Sequence, residues 1–557
     1  MQVIGRASRQ MRVAPVSLIK STAIVVCAIL SVIVLHLLLH PVLIPAEAAM
    51  HLEAGRLLAQ GKVPYVDFFE TAAPMLIYLN AVPSIVSDFL PLHPIQVFNL
   101  FVFFTLCLSI AGTAYILFSC RSRDQAVYPY LLIGFAATNL VFIGEFGQAE
   151  HLMVMLTLPY IVFRYLRWSD RATSDRAGVV AGAFAAVGFL LKPIFLLLLV
   201  GLELCWWLNR PRKYPLVAPE ITSLAAVMSI YFFHLFILPT EMQNRYVNWA
   251  FPAILYDYRL WDTRLIYMDK TPDRRDLLYF MVLVSILSLA ARKWCSLLPT
   301  FVLMAVLGFG LFFIPGKMLT FEALPMVYGA SIAASLLVGV VLNYLAGMKA
   351  GGGVYKVLSR PVAYGAAILI VCSMGIMEFQ KINGVNYLDL RPLGYVGSTP
   401  KDDLANFSEL LIKETNPEDQ VLVISDRVRP AFPLLLQLNR KPGARLLNAD
   451  IMRVFHNIEE QTDETTYNKV VYANSLLYEE LIDDIDKRQP KLIMLEEEAL
   501  GPLLEQREVK LKIQELYEPI GMADYEENKA KHPRFEYLGF RSPLQVFKLR
   551  SAMDEAR

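Results

Sequence analysis

The chain has 557 residues, 55% of them hydrophobic and 18% charged, with a formal net charge of +1. A soluble globular protein averages roughly 25% charged residues, so a wholly soluble chain is excluded. A charge balance this close to zero also gives no electrostatic case for nucleic acid as a partner.

Arg6, Arg9, Arg12 and Lys20 precede an apolar stretch running from Thr22 to Leu39. The stretch exceeds the ~7–15 residues of a signal-peptide core and shows no small-residue cleavage site, so it reads as a retained first span. A spanning helix needs about 20 mostly apolar residues. Candidates lie at 22–40, 95–118, 127–146, 148–166, 177–191, 193–209, 217–238, 277–291, 297–314, 324–345 and 361–379. The shorter ones fit a packed bundle or a locally thinned bilayer. Residues 74–91 read instead as a juxtamembrane helix, because Pro83, Ser84, Ser87 and Asp88 interrupt them.

Orientation follows from the bias of Lys and Arg toward the cytoplasmic side. With the N-terminal arginines inside, the inner loops hold Arg121 and Arg123; Arg164, Arg167, Arg171 and Arg176; Arg210, Arg212 and Lys213; Arg292 and Lys293; and Lys349, Lys356 and Arg360. That count requires residues 177–209 to form two short helices broken near Lys192-Pro193, where proline disrupts a helix interior. The outer face then receives the loop 41–94, the turn Gly144–Glu150, the loop 239–276, the segment Pro315–Glu322 and the C-terminal region.

The expected fold class is an α-helical polytopic membrane protein of about 11 transmembrane helices, spanning residues 1–394, with an extracytoplasmic α/β domain over 395–557. In that domain Val421–Ile424 and Lys491–Leu495 read as buried strands, Leu544–Leu549 as a last strand, and Ala431–Leu438 and Tyr472–Ile485 as helices. The six cysteines, Cys27, Cys107, Cys120, Cys205, Cys295 and Cys372, lie in or beside apolar runs without metal-ligand spacing, so they read as buried apolar residues. Ser425-Asp426 after a strand lacks the glycines of a nucleotide-binding turn.

The loop after the first span carries the densest pattern. Residues 46–60 have helical composition, with Glu47 at the start and Gly61 where a helix would stop. Met50, Ala54, Leu57 and Leu58 form an apolar stripe that suits a helix lying along the membrane interface. Gly61-Lys62-Val63-Pro64-Tyr65 then reads as a turn, followed by Asp67 and Pro74. From these residues alone, a solvated amphipathic connector explains the loop equally well.

This series resembles the first outer loop of the GT-C glycosyltransferases, in the branch of the protein O-mannosyltransferases and the bacterial aminoarabinose transferase. That family carries an acidic residue after the first span, an interfacial helix, then Gly-x-x-Pro-Tyr-x-Asp and a proline; this chain supplies Glu47, Gly61, Pro64, Tyr65, Asp67 and Pro74. Glu150 is similar to the family's second acidic residue, Lys192-Pro193 to its outward-facing lysine motif, and Gly316-Lys317 to its Gly-Lys element. The resemblance covers roughly residues 20–345. One departure is Ala46-Glu47, where many relatives have Asp-Glu.

The resemblance implies inverting transfer of a sugar from a polyprenyl-phosphate donor to a lipid, glycan or protein acceptor outside the membrane. It implies a carboxylate as base, with Glu47 leading and Asp67 and Glu150 next. Lys192, Arg245 and Lys317 would meet the departing phosphate. Tyr65, in the first-loop motif, and Trp249 would contact substrate; Trp249 lies in the loop 239–276, which interleaves cations with aromatics, a pattern that also fits an ordinary interfacial belt. His51, His234 and His456 show no ligand spacing, so no cofactor is expected and a divalent metal stays open. The expected setting is a multi-pass protein of the cell envelope, in a bacterial inner membrane, with the N-terminus cytoplasmic. Two other classes stay open: a transporter or flippase of lipid-linked sugars, which would carry polar residues at mid-bilayer in repeated halves, and a non-catalytic membrane scaffold, which Ala46 keeps in play.

Overall fold

The apolar runs become helices, because in hydrocarbon each backbone N–H and C=O must be satisfied within its own segment. The computed structural model describes residues 16–39, 44–120, 123–169, 174–209, 217–254, 272–315, 319–348, 404–459, 464–506, 508–524 and 542–550. The helices through the first part are α1 (Val16–Leu39), α2 (Ala46–Ala59), α3 (Pro74–Phe89), α4 (Pro94–Ser119), α5 (Tyr128–Val141), α6 (Ala149–Trp168), α7 (Asp175–Leu190), α8 (Phe195–Asn209), α9 (Pro219–Ile237), α10 (Thr240–Arg245), α11 (Pro272–Ala291), α12 (Leu298–Phe313) and α13 (Leu324–Met348). Helices α1, α4, α9 and α13 hold stretches long and apolar enough to cross a membrane; α8, α11 and α12 are apolar and shorter. The chain breaks between α7 and α8, around Lys192-Pro193, where the sequence requires it. The expected span at 361–379 lies outside the described residues.

Two compact units are present, each assembled from separated segments. The first takes residues 1–37, 101–234 and 261–386; the second takes 38–100, 235–260 and 387–557.

The first unit is a helical bundle. A close contact joins α12 and α13, where Gly308 lies on the backbone of Pro325 and Met326 and Gly329 lies on the backbone of Ala305. A Cβ at Gly308 would sit 2.4 Å from the Met326 nitrogen, so this approach depends on small residues, as helix pairs in lipid commonly do. Large apolar side chains point outward, among them Ile230 and Phe233 of α9, an arrangement that suits hydrocarbon rather than water. Arg164 departs from the expected loop charge: it lies inside α6, 1% exposed, with Glu203 of α8 and Glu220 of α9 on its guanidinium. A buried charge must be paired, and here the partners come from helices the sequence separates by a loop.

The second unit contains the C-terminal α/β fold. Its elements are α14 (Ala405–Glu414), β1 (Gln420–Ile424), α15 (Ala431–Gln437), β2 (Lys441–Pro442), α16 (Asp450–Glu459), α17 (Glu464–Arg488), β3 (Leu492–Glu496), α18 (Glu497–Gln506), α19 (Val509–Leu516), β4 (Tyr517–Ala523) and β5 (Leu544–Leu549). Sheet order is β2-β1-β3-β5-β4, with β1 parallel to β2 and β3, and β5 antiparallel to β3 and β4. The middle strand β3 is buried along its whole length, while edge strand β4 is exposed between its ends. Past β2, the segment 443–447 runs on to pair with the first loop: Phe69 N–H donates to the Arg445 carbonyl at 2.8 Å, and Leu447 N–H donates to the Phe69 carbonyl at 3.1 Å. Helix α15 packs on α2.

At the end of β3 the Glu496 carboxylate accepts from the Ser425 hydroxyl at 2.7 Å and the Asp426 N–H at 3.1 Å. Burial holds its pKa above the ordinary range, and the neighbouring Asp426 charge adds to the rise, against the lowering effect of the Ser425 bond. A carboxyl raised on folding contributes stability below its unfolded pKa, about 4.3, and that contribution is lost as pH rises through the folded value. Glu496→Gln keeps an acceptor and removes the charge. We expect it to raise the melting temperature of the full-length protein at pH 7, with the gain over wild type closing as pH falls to about 4. Thermal scans across that range check it; a gain that stays constant with pH would rule out the charge as its source.

Candidate active site

The first loop forms its turn as the sequence requires, with one unexpected conformation. Gly61 ends α2 at φ +81°, with its N–H on the Leu58 carbonyl and the Lys62 N–H on that of Leu57. Tyr65 then adopts φ +65°, a left-handed backbone that costs a non-glycine residue roughly 1–2 kcal/mol. The surroundings hold it there. Its hydroxyl donates to the Ala72 carbonyl at 2.6 Å, and its ring packs against Tyr246 and Phe69 at centroid distances of 5.3 and 6.3 Å. The side chain is fully buried. Asp67 closes the turn, accepting the Val63 N–H on Oδ2 at 2.7 Å.

Arg245, at the end of α10, reaches this turn. Its Nη1 donates to the Tyr65 carbonyl at 3.3 Å and to Glu480 Oε2 at 3.1 Å; its Nη2 donates to Glu480 Oε1 at 2.6 Å and Glu241 Oε1 at 3.1 Å. The guanidinium lies 4.8 Å over the Trp249 ring. Residues Tyr246–Ala250 form a π-helical turn, a widening that is frequent at functional sites. Tyr65, Arg245 and Trp249, singled out from sequence, therefore form one cluster.

Glu47 sits half-buried in the first turn of α2, where a carboxylate is favoured by the helix dipole. Helix α2 does not present the expected solvated face. Every residue from Ala48 to Gly55 is buried, including His51 and Glu53, while Leu57 and Leu58 are only half-buried. Packing against α3 and α15 overrides the periodicity: a Cβ at Gly55 would come 2.4 Å from the Asn80 carbonyl carbon. The buried polar groups are compensated. Glu53 takes two bonds of 2.8 Å from Arg56, and His51 lies 3.7 Å from Glu70, whose other oxygen accepts the Ala72 N–H at 2.7 Å.

A second cluster belongs to the helical bundle. Glu150 opens α6 after Gly147, which turns at φ +89°. The His151 ring braces that turn, with Nδ1 accepting the Gly147 N–H at 3.1 Å and Nε2 2.6 Å from Asn139 Oδ1. Nδ1 is thereby an acceptor, so Nε2 carries the proton toward Asn139. Lys192, at the α7–α8 break, donates to Glu150 Oε1 at 2.8 Å and lies 5.1 Å over the Phe321 ring. Glu150 Oε2 is buried and meets no hydrogen-bond partner among the described residues. Lys317 lies outside the described residues.

Sequence reading gave no role to Glu480, Glu70 or Phe321, and weighed His51 only as a metal ligand. Glu480 is 235 residues from Arg245 in an acidic helix with no local signal, whereas His51 and Glu70 were visible as polar residues inside an apolar pattern. Among the described residues no three His, Cys, Asp or Glu side chains are grouped as metal ligands.

No protein-family model matches the chain. No curated protein matches it. Among solved structures the chain is similar to ArnT from Cupriavidus metallidurans in the apo state, at 13% identity and a TM-score of 0.47, covering 96% of this chain and 99% of that one.

Proposed function

We propose that this protein is a GT-C-like membrane glycosyltransferase, moving a sugar from a polyprenyl-phosphate donor to an acceptor hydroxyl or amine outside the membrane. The observation that carries the reading is the Tyr65 turn. A non-glycine residue held at φ +65°, fully buried and bonded at its hydroxyl and carbonyl, is strain that only a highly determined surrounding keeps, and such strain gathers at functional sites. It falls in the Gly-x-x-Pro-Tyr-x-Asp motif, directly after the helix bearing Glu47. We take residues 1–394 as a membrane domain of about 11 spans and 395–557 as the outer domain.

In the proposed step the acceptor's proton passes to Glu47, the acceptor atom bonds to the sugar C1, and the C1–O bond to phosphate breaks from the opposite face. The electron pair leaves on the polyprenyl phosphate, and the anomeric centre inverts. The leaving group is already an anion, so it needs a cation more than a proton, and the paired acids of a glycoside hydrolase are not required. Lys192 leads as that cation, with Arg245 and Lys317 as further candidates; Tyr65 and Trp249 are the candidate sugar contacts, and Asp67 and Glu150 are the second carboxylates.

The test is release of polyprenyl phosphate from synthetic donors by the purified protein in lipid nanodiscs. Time-dependent release that requires an acceptor supports the reading. Intact donor across hexose, pentose and aminosugar series would sink it. Within the same assay, Lys192→Met is expected to slow turnover by about tenfold to a hundredfold, as for loss of a charged hydrogen bond. An unchanged rate would remove Lys192 from the site.

A further inference from the structure

We infer that the C-terminal domain acts as the clamp that holds the Tyr65 turn, with Glu480 as a positioning residue working through Arg245. The inference rests on the transferase reading only for what the turn does, not for how it is held.

Helix α17 reaches the segment from Tyr65 to Phe69 at both ends. At the first end, Glu480 grips the Arg245 guanidinium with both oxygens, at 2.6 and 3.1 Å, and Arg245 Nη1 meets the Tyr65 carbonyl at 3.3 Å. At the second end, Arg445 is held by Asp484 through its backbone N–H at 2.6 Å and its Nε at 3.1 Å, by Asp483 at 3.1 Å, and by the Glu480 carbonyl at 3.1 Å. The carbonyl of that same Arg445 receives the Phe69 N–H at 2.8 Å. Two arginines from distant parts of the chain are thus anchored on one acidic helix, one at each end of the strained segment.

The donor count shows why a carboxylate is needed at 480. A guanidinium has five N–H donors. Four of the five here meet Glu480 twice, Glu241 once and the Tyr65 carbonyl once. Arg245 is 7% exposed; Glu241 is mostly exposed, with 60% of its side-chain surface accessible against 12% for Glu480. Glu480 is therefore the partner that fixes the plane of the fork over Trp249, since a bidentate pair sets direction as well as attraction. Without it the guanidinium keeps its charge and loses its aim, and the Tyr65 carbonyl loses its donor.

The experiment is amide hydrogen exchange on the full-length protein in nanodiscs, read on peptides covering 61–72, with β1 and β3 as internal references. Glu480→Gln is expected to exchange about tenfold faster across 61–72, with the strands unchanged. Glu480→Asp, which keeps the carboxylate, is expected to recover most of the protection. The double variant Glu480→Gln/Arg245→Gln is expected to exchange no faster than Arg245→Gln alone, because both act on one linkage. Unchanged protection at 61–72 in Glu480→Gln overturns the clamp, as does an Asp variant as open as the Gln variant. In the donor assay Glu480→Gln is expected to lower kcat about tenfold with the donor KM little changed. A wild type that turns over no donor would count against the transferase reading, while the exchange result would still decide the clamp.

Discussion

Glu47→Gln is expected to leave the protein folded and to slow turnover of a polyprenyl-phosphate sugar by about a hundredfold to ten-thousandfold, the range for removing a general base. The structural contribution of Glu47 is smaller and separable. A carboxylate in the first turn of a helix stabilises by about 0.3–1 kcal/mol, whereas a hundredfold rate loss is about 2.7 kcal/mol in the barrier. A melting temperature near wild type with a collapsed kcat would therefore isolate the chemistry. Gln keeps the length of Glu47 and one acceptor oxygen, and removes the charge together with the capacity to take a proton. If the rate falls less than about tenfold, base duty passes to Asp67 or Glu150. Asp67 is the weaker of the two, because its Oδ2 already holds the Val63 N–H that closes the turn. Glu150 has a buried Oε2 with no hydrogen-bond partner among the described residues, and its Oε1 accepts from Lys192 at 2.8 Å.

Hydrophobic run length and proline placement made the bundle legible. The break at Lys192-Pro193, the stop at Gly61 and the helices at 94–119, 149–168 and 219–237 follow directly from them. Strands β1, β3 and β5 were also visible, because strands of a covered sheet read as short unbroken apolar runs. Strand β4 was not. Tyr517–Ala523 contains Pro519 and Gly521, which argue against a strand interior, and it survives as an exposed edge with a register shift at those two residues. Strand β2, Lys441-Pro442, has no pattern to read. The site divided in the same way. Residues tied to a local motif (Glu47, Tyr65, Asp67) stand out in sequence. Their supports do not, because Glu480 and Arg445 reach the turn only through the tertiary fold, which also buries residues 48–55 of α2 whatever their polarity.

The same limit explains Arg164, whose removal carries the largest stability cost we expect. In sequence Arg164 and Arg167 look like inner-loop charges. In the fold Arg164 donates to Glu203 through Nε and Nη2, at 3.0 and 2.9 Å, and to Glu220 through Nη1 at 3.3 Å. Tyr160 donates to Glu203 at 2.7 Å, and Arg167 joins Glu220 at 3.3 Å and Asp175 at 2.9 Å. Glu220 is fully buried. Arg164→Met leaves Glu203 without its fork and Glu220 with Arg167 as its one ion-pair partner among the described residues, and breaking a buried pair on one side costs about 3–5 kcal/mol. Loss of most monodisperse protein after detergent extraction, and a sharply lower melting temperature, should follow. Arg164→Lys is expected to rescue little, since an ammonium is a point charge without the planar fork that holds both oxygens of Glu203 while reaching Glu220. The discriminating variant is the triple Arg164→Met/Glu203→Gln/Glu220→Gln. If the loss in the single variant comes from uncompensated charge, neutralising both acids should restore much of the stability, because a whole buried network can often be replaced at little net cost. If the triple is as unstable as the single, the network instead holds α6, α8 and α9 in register through its specific bonds, and the bundle depends on its geometry rather than on its charge balance.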